Sequence, residues 1–170
     1  MKKEFHLKFS ERDIGYWAGR YDYDEKTVLP IVPIVKDRGF LTEQEFFTVC
    51  RWKTPRSQPR CRTNSPEFIH EITKCSLSVS EERLRIEVLT LLNGVSWPTA
   101  SVILHFFHHD PYPIMDYRAL WSLNTTVPKQ YNYEFWRRYT DCCRGISERC
   151  HISMRMVDRA LWQFSKENQT

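Results

Sequence analysis

Leu91-Leu92-Asn93-Gly94-Val95-Ser96-Trp97-Pro98-Thr99-Ala100-Ser101-Val102-Ile103 is the stretch on which the reading of this chain turns. One amphipathic helix ends within it and another begins a few residues later. Upstream, Ser80-Glu81-Glu82 is a helix start, with Leu84, Val88, Leu91 and Leu92 at helical spacing. Downstream, Ala100, Ile103, Leu104 and Phe107 repeat at i, i+3, i+4 and i+7. Gly94 permits the tight turn because, without a Cβ, it takes positive φ at little steric cost, and Val95 can point inward to pin both helices. Ser96 is suited to be the N-cap of the second helix. The backbone N–H groups of that helix's first turn then offer donors and a partial positive charge to a phosphate. Pro98 removes one N–H, yet proline is well tolerated in a first helical turn.

Outward from the turn, helical signals dominate. Thr42-Glu43-Gln44-Glu45 is a capping box followed by the apolar face Phe46, Val49 and Cys50. Ser65-Pro66-Glu67 reads as N-cap, N1 proline and acidic first turn, leading into Phe68, Ile69 and Ile72. Tyr131, Phe135, Tyr139 and Cys142 define another helix, and Val157, Ala160, Leu161 and Phe164 the last. Lys3 to Phe9 is the best strand candidate. Thr54 to Ser65, with Pro55 and Pro59, and Asp110 to Pro113 read as ordered turns or loops. The pattern predicts one all-α unit over 1–170, built as two helical lobes with a cleft between them, the hairpin over about 84–107.

Composition agrees with an ordinary globular protein: of 170 residues, 41% are apolar and 27% charged. The apolar run Val28 to Val35 is broken by Pro30 and Pro33 and falls short of the ~18 residues of a membrane span, so no membrane partner is expected. Met1-Lys2-Lys3 opens like a signal peptide, but Glu4, His6, Lys8, Glu11 and Arg12 occupy the place of an apolar stretch, which predicts a cytoplasmic protein. The six cysteines are then expected as reduced thiols. Cys142, Cys143, Cys150 and His151 lack the spacing of a zinc site, and His105, His108, His109 and Asp110 lack a further well-placed ligand, so no metal is expected at either.

The net charge of +4 is modest, but its distribution is uneven. Residues 1–50 are balanced, whereas Arg51, Lys53, Arg56, Arg60 and Arg62 crowd a segment without Asp or Glu. That segment suits a polyanion, or is simply a solvated basic loop. Among the aromatics, Tyr16, Trp17, Tyr21 and Tyr23 form an early cluster and Trp52 sits beside the basic segment. Aromatics at such spacings serve cores as readily as ligand pockets.

Leu92-x-Gly94-Val95-x-x-x-Thr99-Ala100 followed by Tyr112-Pro113-Ile114-Met115-Asp116 resembles the helix-hairpin-helix DNA glycosylase superfamily, which includes endonuclease III, mispair adenine glycosylases and alkyl-base glycosylases. The likeness runs from about Leu89 to Leu123, roughly a fifth of the chain. It implies a two-lobed helical fold with the active site in the cleft and double-stranded DNA as partner, held through the hairpin residues Gly94, Val95, Ser96, Trp97 and Thr99. A base is flipped out of the duplex for excision repair, and Asp116 within the segment 110–123 is the catalytic carboxylate. Bifunctional members carry a nucleophilic lysine where this chain has Pro98, which implies a hydrolase without lyase activity. Ser96 stands where the family has a second turn glycine. No cysteine spacing after Asp116 matches an iron–sulfur loop, so no cofactor is expected beyond room for a monovalent cation at the hairpin.

By the same resemblance, a loop after a core helix fills the gap left by the flipped nucleotide, and Arg51-Trp52-Lys53-Thr54-Pro55-Arg56 is the positional candidate; Arg51, Lys53, Arg56 and Arg60 are the cations expected to contact DNA. Tyr16, Trp17 and Trp52 are candidates for the base pocket, and monomeric action is the default. Asp116 also suits the N-cap of a helix from Tyr117 to Leu123; the two roles are compatible, since helix-start N–H groups favour a negative charge. Two other functions stay open: a non-catalytic DNA-binding module that keeps the glycosylase shell, and a lyase using another lysine such as Lys53.

Overall fold

A computed structural model describes residues 5–170 of the chain. It is all-helical, with no strand among the described residues. In chain order the α-helices are α1 Ile14–Gly19, α2 Val32–Arg38, α3 Glu43–Lys53, α4 Gln58–Cys61, α5 Pro66–Ser78, α6 Glu82–Leu89, α7 Trp97–Phe107, α8 Tyr117–Ser122, α9 Tyr133–Cys150 and α10 Met154–Asn168. Among the described residues no helix is long and apolar enough to cross a membrane.

Local chemistry sets many of these boundaries. Thr42 and Glu45 form the reciprocal capping box that starts α3. Ser65, Asn132 and Ser153 each accept the third backbone N–H of α5, α9 and α10. Gly39 ends α2 in the left-handed region at φ 85°.

Two segments differ from the sequence expectation. Thr54 to Ser65 is mostly helical: a 3-10 turn over Pro55–Ser57 leads directly into α4. Each of those prolines occupies a first-turn position, where its missing N–H costs nothing, so they start helices and do not break one. Of the strand candidate Lys3 to Phe9, residues 3 and 4 lie outside the described residues, as does the Met1-Lys2-Lys3 opening. The rest is irregular, with bends at Phe5, Lys8 and Phe9, and joins no sheet. His6 and Lys8 donate their N–H groups to the carbonyls of Leu123 and Ser122 at the end of α8 (3.1 and 2.9 Å). Phe5 packs edge-on against Phe135 and Tyr139.

The contacts divide the chain into two compact units. Asp24–Asp110 is one; the other combines the N-terminal residues up to Tyr23 with Pro111–Thr170. In the first, α6 lies against α5 and α7, and α3 packs on α4, α5 and α7. Helix α7 is its centre, with Thr99, Ala100, Ser101, Val102, Ile103, Leu104, Phe106 and Phe107 all buried. Each large apolar side chain among them contributes roughly 1.5–3 kcal/mol on removal from water. In the second, α10 packs on α1, α8 and α9, and Trp136, Tyr112, Tyr139 and Leu161 are fully buried.

Candidate nucleic-acid interface and carboxylate site

Within the Asp24–Asp110 unit, α6 and α7 are joined by a turn whose geometry requires glycine twice over. Gly94 has φ +82°, and a Cβ there would lie 2.6 Å from Cys61 Sγ, 2.9 Å from Cys61 N and 3.2 Å from Ser57 O. The turn therefore rests directly on α4 and the 3-10 turn before it. Below it, Cys50 and Cys61 are both buried thiols. A hydrogen bond from Cys50 brings the Cys61 pKa down to about 6 and pushes that of Cys50 up.

Asn64 clamps the same turn. Its amide donates to the Cys61 and Asn93 carbonyls (2.8 and 2.9 Å), and its Oδ1 accepts from Asn93 N (2.8 Å). A buried amide satisfied on three sides acts as a rigid bracket. Asn93 reaches back in turn to Thr63 Oγ1 (2.9 Å). Val95 is buried, and its N–H is taken by the Leu92 carbonyl at 3.1 Å. Gly94 and Ser96 keep N–H groups with no acceptor among the described residues.

Ser96 is the N-cap of α7, yet its hydroxyl makes no capping bond, so the first-turn N–H groups of α7 are not covered from that side. The turn is thus a shallow set of backbone donors at a helix start, the arrangement that receives an anion without reading its identity. Thr99 is fully buried, so neither its hydroxyl nor its backbone is presented to a ligand in this structure. Trp97 lies half-buried in the first turn.

Because Gly94 touches Ser57 and Cys61, the basic segment flanks the hairpin. Arg56 and Arg60, the immediate sequence neighbours of those contacts, are exposed. Arg51 and Lys53 lie on the last turn of α3. Arg62 stacks over Phe47, its Cζ 4.8 Å from the ring centroid. Trp52 is committed to packing: its Nε1–H donates to the Asp24 carbonyl (2.7 Å), and its ring meets Phe106 edge-on at 5.5 Å.

Asp116 belongs to the other unit. It is the N-cap of α8, with φ −146° and ψ 172°, and its Oδ1 accepts from Ala119 N at 2.9 Å. The residue is half-buried. The segment leading to it has no helical hydrogen bonds and is held by side chains instead. Arg144 Nε donates to the Pro111 carbonyl (3.0 Å), and Tyr112 stacks on Trp136 with centroids 5.5 Å apart. At Ile114 both backbone groups are satisfied by buried side chains from different helices: Tyr139 Oη donates to its carbonyl (2.6 Å) and Asp158 Oδ1 accepts from its N–H (3.0 Å).

The charge of Asp116 reaches two tyrosines. Burial first, and the Asp116 carboxylate second, raise the Tyr131 phenol above its usual range. Tyr139 is raised well above it, mainly by burial, with Cys143, Asp158 and Asp116 adding to the effect. Both phenols stay protonated donors at neutral pH. Of the early aromatics, Trp17 packs against Phe9 and Phe164, and Tyr16 stands edge-on to Trp17 with the Arg20 guanidinium over its ring.

Sequence reasoning assigns Asn64, Tyr131, Tyr139 and Asp158 no role at these sites. No local motif marks a side chain that acts 25 to 44 positions away along the chain. Among the described residues no group of three or more His, Cys, Asp or Glu side chains could hold a metal ion.

By overall structure the chain is similar to the Methanocaldococcus jannaschii 8-oxoguanine glycosylase/lyase solved with a 15mer DNA containing 8-oxoguanine. The match has a TM-score of 0.54 at 16% identity and covers 94% of this chain and 82% of that one. The fold is a helix-hairpin-helix glycosylase fold. No family model and no curated protein matches the sequence. At that identity the likeness is one of architecture, and within it the glycosylase-type fold carries Gly94 at the hairpin turn and Asp116 at the start of α8.

Proposed function

We propose that this protein is a monofunctional DNA glycosylase, which hydrolyses the N-glycosidic bond of a damaged, mispaired or modified base in double-stranded DNA. The observation that carries the reading is the coexistence, in a glycosylase-type fold, of an anion-receptive glycine turn and a carboxylate fixed by its own helix. The turn, with the exposed Arg56 and Arg60 beside it, supplies a sequence-independent hold on phosphates.

Asp116 supplies the chemistry. As the C1′–N bond lengthens, its electron pair leaves with the base and positive charge grows on the sugar. A fixed anion beside the sugar stabilises that transition state more than the ground state. Water then bonds to C1′ and gives up a proton, which Asp116 can accept, and an abasic site remains. Pro98 has no amine, and no lysine occurs in α7, so an imine with the sugar has no donor at the hairpin. The base must leave the stack for this chemistry, at a cost of a few kcal/mol.

The test uses duplexes carrying a panel of lesions, beginning with 8-oxoguanine because the structural neighbour was solved with it. Hot alkali converts abasic sites into strand breaks. Breaks made by the wild type and not by Asp116→Asn support the enzyme. Tight DNA binding without abasic product on any substrate points instead to a binding module. Borohydride trapping of a protein–DNA adduct would replace hydrolysis by a lyase route, because only an imine is reducible.

A further inference from the structure

Helix α10 buries Val157, Ala160 and Leu161 on one side. Along another side run Arg155, Arg159, Trp162 and Lys166, spaced by four, three and four residues and therefore aligned on one stripe. The stripe is built as alternating cation and ring. The guanidiniums of Arg155 and Arg159 lie over Tyr21, 5.2 and 5.4 Å from its centroid. Lys166 Nζ lies 5.3 Å over Trp162, and Tyr21 meets Trp162 edge-on at 5.3 Å.

The stripe is next to the carboxylate segment within the same unit. Asp158, between the two arginines in sequence, holds Ile114 N, and Arg118, two residues after Asp116, stacks over Trp162 at 5.4 Å. The acids at this surface include Asp22, which pairs with Lys166 Nζ at 2.6 Å, the buried Asp158, and Asp116, two residues before Arg118. Glu167, on the adjoining flank, is taken by Arg20. The three cations of the stripe and Arg118 exceed Asp22, Asp158 and Asp116 by one, which leaves the face modestly positive.

We propose that this face of α10 is a second DNA contact. It would bind the phosphodiester backbone of the strand that carries the target nucleotide, where that strand passes Asp116. The inference rests on the DNA-binding part of the reading above and not on its excision chemistry. Arginines already stacked on rings give up little conformational freedom when they meet a phosphate, and their planar forks match its oxygens. Rings interleaved with cations also suit a strand whose bases are locally unstacked.

The test measures DNA affinity against salt for the full chain on an Asp116→Asn background, so that binding is read without turnover. Arg155→Gln with Arg159→Gln should weaken binding about tenfold at moderate salt. It should also flatten the slope of log K against log salt by ~0.9 for each phosphate that is no longer neutralised. Asp22→Asn, a surface change that releases Lys166 from its partner, should act in the opposite sense, with tighter binding and a steeper slope. If the double variant fails to fold by circular dichroism, Asp22→Asn and Lys166→Gln decide the matter by their opposite signs. Wild-type slopes in the folded variants would overturn the proposal. A protein that excises bases yet shows no change in these slopes keeps its activity assignment and has no second DNA contact at α10. A protein that never excises but shows both shifts forfeits only the activity.

Discussion

The hairpin and the carboxylate segment are built by opposite strategies. The hairpin comes from one continuous stretch, Asp24–Asp110, and is fixed mainly by neighbours: a glycine that nothing else can replace, and Asn64, 29 residues before the Asn93 it clamps. Asp116 lies in a unit assembled from both ends of the chain, and the segment before it is fixed by Arg144, Tyr139 and Asp158, up to 44 residues away. A backbone site presents no side chain to its ligand and depends on the glycine and the Asn64 bracket that hold the turn. A side-chain site depends on several distant partners at once. The two regions should therefore fail differently when mutated.

The largest separation is expected between Asp116→Asn and Gly94→Ala. The first keeps the shape of the α8 cap and removes only a charge, so excision should fall by about 100- to 10,000-fold with DNA affinity retained. Single-turnover rates and anisotropy check this pair of outcomes. Gly94→Ala puts a methyl group against the Cys61 backbone in a left-handed conformation. Folding stability should drop by about 3 kcal/mol or more, seen as a lower urea midpoint, and affinity should fall with the turn. If Gly94→Ala were as stable as the wild type, the close contact with α4 would be wrong.

Tyr139→Phe probes the other strategy. Its ring still packs, but the Ile114 carbonyl is left buried without its donor, which costs about 1–3 kcal/mol. Thermal unfolding measures that drop in stability. The companion measurement is excision: a segment released at Ile114 should slow the chemical step while leaving the affinity for DNA unchanged. Equal excision rates in Tyr139→Phe and wild type would show that Asp116 needs no support beyond its own helix. A smaller effect is expected from Arg56→Ala with Arg60→Ala. These exposed cations hold no part of the fold together, so the salt slope should fall by ~0.9 for each phosphate left without its cation, with little change in stability.

What is legible in the sequence follows the same division. The turn at Gly94 and the caps at Thr42, Ser65 and Asp116 are readable, because each depends on residues within four positions. The helical character of 55–61 is hidden because its prolines read as breakers, whereas they sit in first turns. The bracket at Asn64 and the two side chains on Ile114 have no local signal. Those on Ile114 acquire their roles only when α9 and α10 fold against the carboxylate segment. The stripe at 155, 159, 162 and 166 is present as a helical repeat but masked by the stronger apolar repeat at 157, 160, 161 and 164. Trp52 carries the opposite lesson: beside a basic segment it suggests a pocket, and its indole N–H is spent on the Asp24 carbonyl.

The finest test of the carboxylate region is electrostatic and concerns Tyr131. Its phenol is raised above the ordinary tyrosine range by burial and, to a smaller degree, by the negative charge of Asp116. A neighbouring anion disfavours the phenolate, so removing that anion makes ionisation easier. In Asp116→Asn the Tyr131 pKa should move down, while burial keeps it above the usual value. Absorbance titration of phenolate, with Tyr131→Phe to identify the signal, measures the shift. Asn preserves the shape of the cap, so packing around the ring stays nearly constant and the change isolates the charge. An unmoved Tyr131 would mean that the carboxylate is directed away from the phenol.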